Sequence, residues 1–89
     1  MKITIDVTQE DINKGIRDNE SRCPVAKAIR RTFNGAKNIQ VGTAIVFDLQ
    51  NIHYSADLPK KLNTFISNFD HKGKKAVKPI KSAVIFKTT

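Results

Sequence analysis

The chain carries little that could do covalent chemistry. Cys23 is its only cysteine, so an internal disulfide is impossible and a reducing, intracellular setting is expected. Zinc would need Cys23, His53, His71 and a carboxylate to converge from distant places with no paired spacing, so no metal site and no cofactor are expected. No apolar run approaches the ~18 residues that span a bilayer, and no membrane association is expected. The opening MKITIDVTQED alternates apolar and polar residues and turns acidic early, unlike a signal peptide. There is no internal repeat and no low-complexity tract. Acid is also scarce in one region: residues 59–89 hold eight lysines against Asp70 alone, a net of +7, whereas residues 1–58 are close to neutral at +1.

What remains is a small globular composition. With 89 residues, 39% hydrophobic and 27% charged, the chain makes one compact domain, residues 1–89. A domain this size buries only about 60–65% of its unfolded surface, which leaves little room for a deep enzyme cleft.

Local patterns outline an α+β fold. Ile3, Ile5 and Val7 alternate with Lys2, Thr4 and Asp6, a half-buried strand. Thr8 and Asp11 stand as N-cap and N3 of a short helix, with Val7 and Ile12 as its hydrophobic staple and Gly15 as its stop. A polar loop, RDNESR, precedes Pro24, which suits the first position of a second helix whose apolar face is Val25, Ala28, Ile29 and Phe33. Residues 43–49 and 52–58 read as two strands joined by the two-residue turn Gln50-Asn51, with a further short strand at 38–41. Pro59 opens a third helix carrying Leu62, Phe65, Ile66 and Phe69 at i, i+3, i+4 and i+7, which ends near Asp70. Residues 71–81 read as a basic loop, and SAVIF (82–86) as a last strand. The order is β-α-α-β-β-α-β: a small antiparallel or mixed sheet of 4–5 strands with about three helices.

The candidate site is electrostatic. Lys72, Lys74, Lys75, Lys78 and Lys81, extended by Lys60 and Lys61 at a helix start, form a cationic surface suited to phosphates, with nucleic acid the expected polyanion. Lysines are point charges without bidentate geometry, so little base readout follows from them alone. The plain alternative is a solubilising lysine surface that protects an edge strand. Arg22, Lys27, Arg30 and Arg31 form a secondary basic face on and before the second helix, whose plain alternative is an ordinary solvated face. Cys23, at a helix N-terminus, is the one conceivable nucleophile. The acids of residues 17–22 are expected to lie across the fold from the lysines. No aromatic is interleaved with the lysines, which argues against a base-stacking sheet platform.

Several short motifs, in order, resemble a group of small phage proteins without assigned chemistry. They are V-T-x-E-D-I-x-x-G (Val7 to Gly15), C-P-V-A-x-A-I (Cys23 to Ile29), V-G at Val41, Tyr54, L-P at Leu58, and F-I-x-x-F-D-x-x-G followed by V-x-P (Phe65 to Pro79). The resemblance covers most of the chain and implies a phage or mobile-element origin and the cytoplasm of an infected or host bacterial cell. The lysines of 71–81 depart from the shared pattern. The expected function is a non-enzymatic binding protein whose partner is nucleic acid or a nucleoprotein complex. The alternative is a counter-defence inhibitor, for example of a CRISPR effector, that binds a host protein directly.

Overall fold

The computed structural model describes residues 1–88. Its elements are β1 (Lys2–Val7), α1 (Gln9–Lys14), α2 (Pro24–Thr32), β2 (Lys37–Val41), β3 (Ala44–Leu49), β4 (Ile52–Asp57), α3 (Lys60–Lys72), a 3-10 turn (Lys74–Ala76), β5 (Ile80–Ile85) and β6 (Lys87–Thr88). The fold is α+β, as expected. All strand pairs are antiparallel and fall into two sheets, ordered β2-β3-β4-β6 and β1-β5. The expectation of 4–5 strands in one sheet is corrected: the described residues form six strands in two sheets. The difference lies at Phe86, the single residue between β5 and β6. Up to Ile85 the chain pairs with β1; beyond Phe86 it pairs with Tyr54 and Ser55 of β4. One stretch of backbone therefore belongs to both sheets.

Each helix forms for a local reason. At α1 the Thr8 hydroxyl accepts from the Asp11 N–H at 3.2 Å, and the Asp11 carboxylate accepts from the Thr8 N–H at 2.9 Å. This is the reciprocal capping expected from the sequence, and it satisfies two donors a helix start leaves unpaired. The staple residues Val7 and Ile12 are fully buried. Gly15 is not a left-handed stop: its φ of −67° is open to any residue. It is glycine because Pro24 packs on it; a Cβ there would lie 2.6 Å from the Pro24 ring. At α2 the Cys23 sulfur takes the cap position and accepts from the Ala26 N–H at 3.4 Å.

The core lies between the inward faces of the strands and the helices. Ile5, Val7, Ile45, Phe47 and Val84 from the strands meet Val25, Ala28 and Ile29 of α2 and Leu62, Phe65 and Phe69 of α3. Four aromatic rings hold the junction of the two sheets. Phe47 lies 4.7 Å from Phe33, 5.2 Å from Tyr54 and 5.4 Å from Phe86, measured between ring centroids. Edge-to-face and offset pairs of this kind add about 0.5–1.5 kcal/mol each beyond the area they bury. Every aromatic residue is thereby buried or half-buried in the core.

The helical ending and basic loop also need correction. α3 continues past Asp70 to Lys72, and Gly73, at φ 88°, ends it with its N–H bonded to the Phe69 carbonyl at 2.8 Å. Residues 71–81 are thus not one loop. They comprise the last turn of α3, the 3-10 turn, a short strap over residues 77–79 and the start of β5.

Candidate nucleic-acid interface

All seven predicted lysines are exposed. Among the described residues the ion pairs are Glu10–Lys14, Asp11–Arg31 and Asp48–His53, so none of the seven is joined to a carboxylate. Their charge is left to the solvent or to a partner. They do not form one patch, however.

Lys60, Lys61 and Lys78 come together. With Thr64, Phe65 and Asn68 of α3 and residues 76–80 of the strap, they line an open groove of about 710 Å³. Lys60, Thr64 and Asn68 are spaced i, i+4, i+8 and therefore share one stripe of the helix. That stripe faces Val77, Pro79 and Ile80 across the groove, and the nearly buried Phe65 closes its floor. Gly73 brings the strap alongside α3, because its left-handed backbone reverses the chain directly after the helix.

The start of α3 departs from the usual chemistry of a helix end. Its N-cap is Pro59, no side chain caps its first turn, and that turn contains no acid. Two lysines stand instead at the positive end of the helix dipole, where a cation is unfavourable. The N–H groups of the first turn and the two ammonium groups thus reinforce one local positive field.

Lys72, Lys74 and Lys75 lie at the far end of the helix, about 18 Å away at 1.5 Å per residue. Lys74 is already engaged: its ammonium donates to the Asn13 carbonyl. Lys81 projects from β5 on the face turned away from the core, opposite Asp6 on β1.

Two of the four residues of the secondary basic face, Arg30 and Arg31, serve the fold. Arg31 donates to the Asp11 carboxylate at 2.7 Å and to the Asp6 carbonyl at 2.8 Å, which ties α2 to α1 and β1. Arg30 donates to the Ser21 carbonyl at 3.1 Å. Lys27 is partly covered, and Arg22 is exposed.

The acidic loop is beside the basic C-terminal end of α3, not across the fold from it. Arg17 chelates the Asp70 carbonyl through two donors at 2.8 and 2.6 Å, and the Asp18 N–H donates to the Asp70 carboxylate at 3.0 Å. Asp70, the one acid of residues 59–89, is thereby engaged in holding this loop. Sequence reasoning missed Arg17, Thr64 and Asn68. The Lys60–Thr64–Asn68 spacing was the available signal for the last two; Arg17 gave none.

The remaining reactive groups are placed differently. Cys23 is 2% exposed, and burial pushes its thiol pKa up, the reverse of nucleophile activation. His53 and Asp48 face each other across β3 and β4 at 2.7 Å. Asp48 is held below the usual carboxylate range, first by the hydrogen bond from Asn38 and then by that with His53. Among the described residues no group of His, Cys, Asp and Glu is arranged to hold a metal ion, and no helix is long and apolar enough to cross a membrane. No family model, curated protein or solved structure matches this chain, so the chemistry of the site rests on its own geometry.

Proposed function

We propose that this is a non-enzymatic binding protein whose lysine-bearing surface engages nucleic acid, or the nucleic-acid channel of a larger nucleoprotein complex, through phosphates. The observation that carries this reading is the start of α3. A helix that places two unpaired lysines at its own uncapped positive end loses stability locally, and such departures from local consistency concentrate at functional sites. Lys78 adds a third charge to the same rim. Lys72 and Lys75 extend the surface, whereas Lys74 serves the fold. A role of this kind also suits the phage proteins that the motifs resemble.

The test is binding to labelled single- and double-stranded DNA and RNA over a salt series, with the triple charge reversal Lys60→Glu, Lys61→Glu, Lys78→Glu as comparison. We expect log K to fall linearly with log salt, and the triple variant to lose most of the affinity at low salt. Unchanged binding by the triple variant would refute the site. One observation favours a second reading, direct docking on a host or defence protein. Ile85 is 63% exposed on the outward face of β5, beside the groove that separates β5 from the end of β4. A tight protein complex with weak salt dependence would be its signature.

A further inference from the structure

The groove between α3 and the strap has two unlike walls, and this bears on which nucleic acid fits it. Thr64 and Asn68 supply a hydroxyl and an amide from the helix, and among the described residues neither side chain has a hydrogen-bond partner. Val77, Pro79 and Ile80 supply an apolar wall. Its volume, about 710 Å³, lies within the range of small-ligand sites, roughly 300–1,000 Å³. Phosphate contact alone needs no such groove; a flat lysine surface would serve. A wholly apolar ligand would leave Thr64 and Asn68 unpaired, at a cost in desolvation. A nucleobase matches both walls, because its faces are apolar and its edge carries donors and acceptors. In a duplex that face is stacked and the edge paired. In a single strand both are free.

We propose that this groove seats an unstacked base of a single-stranded nucleic acid, with Lys60, Lys61 and Lys78 holding the phosphates that flank it. Asn68, with both a donor and an acceptor, meets the base edge, and Thr64 assists it. Val77, Pro79 and Ile80 cover the base face in place of the aromatic platform this chain lacks. The inference rests on the phosphate-binding reading above and adds the strandedness and the position of the base.

Three probes of equal length separate the two claims: a mixed-sequence single strand, a strand of the same length with every base removed, and a duplex. We expect the single strand to bind at least about fivefold more tightly than the abasic strand, the gain from burying one apolar base face against the groove wall. We expect the duplex to resemble the abasic strand. The double variant Thr64→Leu, Asn68→Leu keeps every charge, favours helix and removes both polar groups. It should erase the preference for bases while leaving the salt slope unchanged. Equal binding of all three probes, with the salt slope intact, would overturn the base-seating proposal and leave the phosphate reading standing. Failure of every probe to bind at low salt would overturn both. Should the double variant melt early, the abasic comparison on the wild-type protein decides alone.

Discussion

Removing Arg31 should weaken the fold and leave nucleic-acid binding unchanged, although the sequence places Arg31 on a basic face. The magnitude follows from its contacts. One guanidinium nitrogen donates to the Asp11 carboxylate at 2.7 Å and to the Asp6 carbonyl at 2.8 Å. Hydrogen bonds to charged groups contribute about 1.5–3 kcal/mol each when shielded. The Arg31 side chain is 50% exposed, and that of Asp11 is 9% exposed. Solvent screening at the arginine end brings the loss for Arg31→Ala down to about 1–1.5 kcal/mol. Asp11→Ala removes the same ion pair and also the carboxylate that accepts from the Thr8 N–H, so it should cost about 2–2.5 kcal/mol. The double variant should fall short of the sum by about 1 kcal/mol, because both single variants lose one shared interaction. In a domain of this size each kcal/mol shifts Tm by roughly 4–8 °C. Thermal and urea unfolding followed by circular dichroism, run as a double-mutant cycle, measures all three values, and the salt-series binding assay runs in parallel. Additive losses would refute the ion pair as a strut. An Arg31→Ala protein of unchanged stability but weakened binding would refute the whole assignment and return Arg31 to the phosphate surface.

Three further outcomes are expected. Gly15→Ala should destabilise the protein by about 1–3 kcal/mol through overpacking, since the new methyl meets the Pro24 ring at 2.6 Å and the Asp11 carbonyl at 2.9 Å; an unchanged urea midpoint would show that the α1–α2 corner yields freely. Replacing Gln50-Asn51 by Asn-Gly should stabilise it by about 0.5–1 kcal/mol, because both residues stand at positive φ, 52° and 65°, and the new pair favours that turn; a lower Tm would refute this account of the hairpin. Cys23 should resist iodoacetamide at mildly alkaline pH until the protein is unfolded in denaturant, because burial both shields the thiol and disfavours the thiolate; rapid labelling of the native protein would contradict it.

Much of the fold was legible because its causes are local. The Thr8–Asp11 cap spans three residues, the Val7–Ile12 staple five, and the apolar stripe of α3 repeats every turn. Each is a contact between near neighbours whose geometry is set once a helix forms. The Gln50-Asn51 turn was legible because a two-residue connection leaves strands no choice but to pair. β6 was not legible. Its two residues carry no period, and their pairing exists only because the chain crosses between sheets at Phe86.

The candidate site divides along the same line. The sequence by itself determined that the last third holds eight lysines against one acid, Asp70, and that Lys60 and Lys61 begin a helix. Only the tertiary structure decided which charges are available. It carried Lys78 back beside Lys60 and Lys61, and it engaged Lys74 with Asn13, 61 residues away, and Arg31 with Asp6, 25 residues away. A lysine in solvent and a lysine holding a distant carbonyl are identical in sequence. Their difference is a contact that forms only after the intervening chain has packed.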